Sequence, residues 1–330
     1  MSPIRVGVVG STGETGSSII NGLIEANQFY ITAFTRPSSV NKPASVALKE
    51  SGVAIVGVEL EGNPAALQKA LVGIEVLICA VGPFAFDVQY GLADAAKAAG
   101  VKRFVPSSFT AVTPPGGVTV GRDQKEKIFQ YIKDIQLPYT VIDVGWWYQA
   151  SIPSVPSGKL DYLTRFNRTE IAGDGNTLSA TTDKRDIGRY VARIIADERT
   201  QNKFILAHSE LRSPNEIYDL VESLSGEVLA RTYLDEAALQ EKIETATEQL
   251  KADPTNTQAL WTKSNAEIQH SLELRGDNTP ESAKKLGYLL FKELYPGFTF
   301  RNFESCVKEA LAGQAKPLYE SNEAMRAFLK

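Results

Sequence analysis

The chain has 330 residues, 43% of them hydrophobic and 22% charged, with a formal net charge of −4. That balance belongs to a globular protein able to bury a core, and it gives no basic surface for nucleic acid. Two cysteines (Cys79, Cys306) and two histidines (His208, His270) exclude a disulfide framework and a Cys/His metal cluster, and no apolar run is long enough to span a membrane.

In chain order, Ile4 to Val9 reads as a strand, followed by Gly10-Ser11-Thr12-Gly13-Glu14-Thr15-Gly16, a helix over Ser17 to Ala26, and a second strand over Tyr30 to Thr35. A strand, a glycine-rich turn and a helix opening on that turn make a dinucleotide phosphate cradle. Gly10 permits the tight turn, Gly13 lets backbone approach a pyrophosphate, and Gly16 lets the helix pack on the strand. An NAD site wants a carboxylate at the end of the second strand. There is no Asp or Glu between Glu25 and Glu50; Arg36 stands there instead, with Lys42 and Lys49 beyond it. A cation suits a 2′-phosphate, so the expected cofactor is NADP(H).

Alternation continues. Val53–Val58 reads as a strand, Pro64–Leu71 as a helix and Ile74–Val81 as a buried strand. Phe86–Ala99 reads as a helix, Arg103–Pro106 as a strand, Arg122–Ile135 as a helix and Tyr139–Val144 as a strand. This pattern predicts a Rossmann-type α/β fold, a doubly wound parallel sheet, over residues 1–150. After an irregular stretch around 146–158, a helix over Asp183–Ala196 and a strand over Phe204–Ala207 are expected to rejoin that sheet, so that 183–210 belong with it. Residues 151–182 and 211–330 form the expected smaller, mostly helical substrate or lid subdomain. It carries a strand near Val228–Tyr233 and polar helices between Asp235 and Glu273.

Ligands of such sheets bind beyond the carboxyl ends of the strands. That rule selects Val81, Gly82, Pro83 and Phe84 after the fourth strand, Ser107, Ser108 and Phe109 after the fifth, and Gly145 to Gln149 after the sixth. Phe84, Phe109, Trp146, Trp147 and Tyr148 are the candidate aromatic wall for a flat substrate, and Val81, Gly82 and Ser107 are candidate cofactor contacts. No tyrosine of the Rossmann half has a lysine four residues on; Tyr288 and Lys292 have that spacing far downstream. The proton must therefore be moved by another group. On the helix Arg122–Ile135, Lys125 shares an arc of about 80° with Ile128, Ile132 and Ile135, on the inward face, so it is either a buried lysine or one at a helix start with its stem on the core and its head in water. Burial disfavours a charged lysine, which suits a general acid or base near neutral pH. Asp123, in the first turn, suits the helix dipole.

The chain resembles the isoflavone reductase-like family, atypical short-chain reductases within the wider NmrA-like group. The residues that carry the resemblance are Gly10 to Gly16 with Arg36, Lys102-Arg103-Phe104-Val105-Pro106-Ser107, Lys125 thirteen residues ahead of Pro138-Tyr139-Thr140, Gly173-Asp174-Gly175-Asn176, Asp186-Ile187-Gly188, the run from Asp197 to Lys203, and Leu294-Tyr295-Pro296. The resemblance implies an NADPH-dependent reductase that transfers hydride to a benzylic or enone carbon of an aromatic or conjugated small molecule. It also places the family's catalytic lysine at Lys125, which would contact both substrate and cofactor. The chain departs from the plant pattern in three places. Ser108-Phe109-Thr110 stands where plant members have Glu-Phe-Gly, Phe129 replaces a basic residue, and Gly145-Trp146-Trp147 replaces Asn-Cys-Phe. The alternative expectation is a non-catalytic NADP(H)-sensing regulator of the NmrA type, and a third is an epimerase or dehydratase. The expected protein is cytoplasmic, without a signal segment, acting as a monomer or homodimer without a nucleic-acid, membrane or metal partner.

Overall fold

Short β-branched runs separated by amphipathic helices order themselves here as a parallel sheet. The computed structural model describes residues 2–82, 85–163 and 170–320. These divide into two compact units: residues 1–109, 124–143 and 184–207 form one, and residues 110–123, 144–183 and 208–330 the other.

The first unit alternates β1 (Ile4–Val9), α1 (Glu14–Ala26), β2 (Phe29–Thr35), α2 (Pro43–Glu50), β3 (Ala54–Gly57), α3 (Pro64–Leu71), β4 (Val76–Cys79), α4 (Val88–Ala98), β5 (Arg103–Val105), α5 (Val120–Asp134, of which residues 124–134 belong to this unit) and β6 (Thr140–Asp143). The strands are ordered β3-β2-β1-β4-β5, all parallel, with Val6 opposite both Ile31 and Val76. A bridge between Phe104 and Tyr139 brings in β6, and the strand Lys203–Leu206 pairs parallel to β6. The order reverses between β1 and β4, and at such a switch point an α/β sheet opens a crevice for ligand. Leu67, Leu71, Leu92, Ile128 and Ile132 fill the layer between the sheet and helices α3 to α5. Each such burial stabilises the fold by roughly 1.5–3 kcal/mol. On the other face, α1 meets the helix Ile187–Ile195 through Gly22 and Gly188, and the Ser18 hydroxyl donates to the Lys184 carbonyl at 2.6 Å.

The second unit holds a three-stranded sheet in which Ser179–Thr182 lies between Trp146–Trp147 (parallel) and Glu210–Arg212 (antiparallel). Glu170–Ala172 pairs with Thr232–Leu234. Its long helices are Pro214–Ser225, Glu236–Ala252 and Thr257–Gln269, the last running into a π-helical turn over His270–Leu274. The first of these starts on a capping box between Ser213 and Glu216. Its core includes Tyr148, Leu160, Val221, Phe303 and Val307.

Three expectations are corrected. Helix α1 starts at Glu14, inside the glycine motif, rather than at Ser17: Gly13 takes the cap position and its carbonyl accepts the first helical bond from the Ser17 N–H at 2.8 Å. The strand expected from Val228 forms only at Thr232–Leu234, and Val228 is 83% exposed. Helix α2 was not expected at all. Among the described residues, no helix is long and apolar enough to cross a membrane.

Candidate functional site

The glycine turn is shaped from within. Gly10 has φ +78°, and a Cβ there would stand 2.4 Å from the Ala80 carbonyl oxygen. A Cβ on Gly16 would stand 2.0 Å from the Gly10 carbonyl oxygen. No side chain fits at either position. Gly13 differs: it is exposed, and a Cβ would meet only the Gly10 carbonyl, at an ordinary 3.4 Å. Nothing inside the protein demands glycine at 13, so its bare backbone is available to a ligand lying over the start of α1. Thr12 is exposed, Thr15 half-buried and Ser11 buried. The first-turn N–H groups of α1 have no carbonyl one turn back within the helix, and the positive end of the helix dipole favours an anion. Glu14, in the same turn, is ion-paired with Lys184.

Arg36 closes β2 and Lys42 precedes α2; both are exposed. Among the described residues Arg36 enters no ion pair, which leaves its guanidinium for an external phosphate.

The loops after β4 and β5 are tied together. The Ser107 hydroxyl donates to the Val81 carbonyl at 2.8 Å, and the Ser107 N–H donates to Gln89 Oε1 at 2.8 Å. Gly82 follows, exposed; Pro83 and Phe84 lie outside the described residues. Lys125 is 8% exposed, and its ammonium donates to the Ser108 carbonyl at 3.2 Å and lies 5.6 Å from the centroid of the Phe86 ring. The Ser108 hydroxyl donates to Asp143, the last residue of β6, which is 1% exposed. Phe109 does not present an open aromatic face: it is buried, its backbone sits at φ +51°, and its N–H donates to the Ile142 carbonyl at 2.9 Å.

In the second unit, Gly145 has φ +73°, and a Cβ there would stand 2.3 Å from the Ala180 carbonyl oxygen, so this departure from the plant pattern is required by close packing. Trp146 and Trp147 follow as a half-buried strand beside Thr181 and Thr182. Trp146 lines a pocket, with Ile152, Ile171, Ile217, Tyr218 and Leu272 as further apolar walls and Arg212 and Glu273 among its polar groups. Leu272 and Glu273 reach it from the π-helical turn, a distortion found often at functional sites. Trp147 is not among the pocket's lining residues. Tyr148 corrects the expected aromatic wall. It is fully buried, its ring lies 4.9 Å from that of Phe303, and its hydroxyl donates to the Arg301 carbonyl. The strand ends at Trp147, so Tyr148 begins a short helix and turns into the core.

Other candidates are structural. The Asp123 carboxylate accepts from the N–H groups of Gly116 and Gly117 and shapes their loop. The Tyr288 hydroxyl accepts from Arg122 at 2.9 Å, and Lys292 lies over the Phe300 ring. Burial pushes the Cys79 thiol up to about 12, so it is inert.

Sequence reasoning missed Asp143 and Gln89. For Asp143 a signal was present, a carboxylate at the end of the apolar run Thr140-Val141-Ile142, where α/β sheets bind ligands. For Gln89, buried at the start of α4, the sequence offers none.

Residues 4–306 match the family model described as NmrA-like family. The chain is 46% identical over 314 residues to asnovolin J 5′,6′-dehydrogenase of Aspergillus novofumigatus (strain IBT 16806), covering 94% of this chain and 96% of that protein. It is 30% identical over 275 residues to isoflavone reductase of Cicer arietinum, covering 74% and 82%. Among solved structures, the binary complex of leucoanthocyanidin reductase with NADPH from Vitis vinifera superposes with a TM-score of 0.76 at 23% identity, covering 93% of this chain and 99% of that one. That likeness shows the fold.

Proposed function

This chain belongs to the NmrA-like family, and we propose that it is an NADPH-dependent oxidoreductase acting on an aromatic or conjugated small molecule, with Lys125 handling the proton. The observation that carries the reading is the burial of the Lys125 ammonium against the Ser108 carbonyl, in the loop directly beyond β5. Charged lysines are rarely buried without use, and a backbone carbonyl holds this one in place.

The residues present fit the cofactor. The open side of Gly13, with Ser11, Thr12 and Thr15 on the same turn, would receive the pyrophosphate, and Gly10 and Gly16 hold that turn in shape. Arg36 and Lys42 would take the 2′-phosphate, and no carboxylate stands between Glu25 and Glu50 to select NAD. Val81, Gly82 and Ser107 would bound the nicotinamide. NADPH supplies the hydride when bound. The protein's part is to orient, to exclude water and to exchange a proton at Lys125 Nζ. We assign the pocket beside Trp146 to substrate binding: its walls are mostly apolar, and its arginine is already paired with Glu210, which favours an uncharged ligand. Asnovolin J 5′,6′-dehydrogenase and isoflavone reductase are names of relatives; they support redox chemistry on a ring-bearing small molecule as the reading for this chain.

The test is to titrate NADPH and NADH into the protein and then follow cofactor absorbance against a panel of conjugated ketones, quinones and benzylic ethers. NADPH preference with turnover is the expected result. Tight NADPH binding with no turnover would move the assignment to a cofactor-sensing regulator.

A further inference from the structure

We propose that Asp143, acting through Ser108, is the positioning residue of Lys125; the inference rests on the reading of Lys125 given above. Asp143 is a carboxylate with 1% exposure at the carboxyl end of β6. A buried ionisable group of this kind is expensive unless hydrogen bonds hold it, and one of those bonds comes from the Ser108 hydroxyl. The same residue's carbonyl accepts from Lys125 Nζ at 3.2 Å. Ser108 is thus gripped at its side chain by Asp143 while its backbone grips the lysine.

The rest of the loop is fixed on both sides of Ser108. Ser107 is bonded to Val81 and Gln89, and the Phe109 N–H is bonded to the Ile142 carbonyl, one residue from Asp143. Phe109 adopts φ +51°, which a bulky L-residue takes only when its surroundings impose it. The Ser108 carbonyl therefore has one orientation, and two of the groups that set it come from the end of β6.

A backbone carbonyl accepts a hydrogen bond but passes on no proton. Asp143 is consequently outside any relay through Ser108, and its effect on Lys125 is on where the ammonium sits. Removal of the carboxylate leaves the Ser108 hydroxyl to find another partner and frees the carbonyl to turn. An amide at 143 keeps an acceptor oxygen for that hydroxyl, so the amide variant retains the geometry without the charge.

The experiment uses the full chain with lysines labelled at Nζ with ¹⁵N, and measures hydrogen exchange of the Lys125 ammonium, assigned by its loss in Lys125→Arg. A held, buried ammonium gives a slowly exchanging signal in the wild type and in Asp143→Asn. In Asp143→Ala and in Ser108→Ala exchange rises by about tenfold or more, the worth of one hydrogen bond to a charged group. Should Asp143→Ala fail to fold, Ser108→Ala carries the same comparison. Unchanged exchange in the folded alanine variants overturns the proposal, as does Asp143→Asn exchanging as fast as Asp143→Ala, because the effect would then be one of charge. Absence of a slow signal in the wild type overturns it too. None of these readouts needs substrate, so a slow wild-type signal that responds to Asp143, found in a protein without turnover, would count against the oxidoreductase reading while sustaining this one.

Discussion

Gly22 of α1 lies so close to Gly188 that a Cβ on Gly22 would stand 2.1 Å from the Gly188 carbonyl carbon, and a Cβ on Gly188 would stand 1.8 Å from the Ser18 carbonyl oxygen. The two helices meet backbone to backbone, and α1 is the helix whose N-terminus carries the glycine turn. Alanine at either position cannot be absorbed by a rotamer change, because the atoms it would strike are main chain. Gly188→Ala is expected to cost at least about 2 kcal/mol in urea unfolding and to weaken NADPH binding as α1 shifts.

On the proposed reading, Arg36 sets the choice between the two nicotinamide cofactors. Arg36→Ala removes an exposed guanidinium with no ion-pair partner among the described residues, so stability should stay within about 0.5 kcal/mol. The dissociation constant for NADPH should rise by roughly 10–100-fold with NADH little changed, since a charge-assisted pair to a phosphate is worth about 1.5–3 kcal/mol. Calorimetric titration of both cofactors reads the difference.

His208 makes the fold sensitive to acid. It is buried, its Nδ1 has no hydrogen-bond partner among the described residues, and burial, followed by the charge of Lys292, pushes its pKa down to about 3. The unfolded chain binds a proton at this site below a pH of about 6.5, and the folded chain does not until about 3. The contribution is therefore complete above the unfolded value and is lost as pH falls from there toward 3, with a slope of roughly 1.4 kcal/mol per pH unit. Unfolding free energies of the wild type and His208→Gln, measured between pH 7 and 4, should converge as pH falls, because the variant lacks this term.

Ile217 tests the pocket. Ile217→Trp would fill the space beside Trp146 and is expected to raise KM for substrate by about tenfold or more while leaving the NADPH dissociation constant unchanged. A KM left as it was would take the substrate elsewhere.

The strands of the parallel sheet were legible because buried parallel strands are short runs rich in apolar and β-branched residues, as in Val76–Cys79 and residues 140–142. Lys125 was legible for a related reason: the helical period puts it on one face with Ile128 and Ile132, and all three are buried. Helix α2 was not, since only Ser45 among its residues is buried and it shows no apolar stripe. Tyr148 was misread as part of an aromatic wall because alternation presumes that the strand goes on, whereas it ends one residue earlier. Asp143 was passed over because it lay inside the strand expected over Tyr139–Val144 and was not singled out from it. Its partner Ser108 is distant in sequence, and only the neighbouring positions of β5 and β6 bring the two together.

Proton transfer by Lys125 is put to the test by Lys125→Met, which keeps most of the apolar stem and removes the ammonium. Cofactor binding and single-turnover oxidation of NADPH would be followed with a substrate found in the panel. The variant should fold and bind NADPH, and its hydride transfer should fall by at least about 100-fold, the usual contribution of a general acid or base. Transfer within a few-fold of the wild-type rate would contradict it.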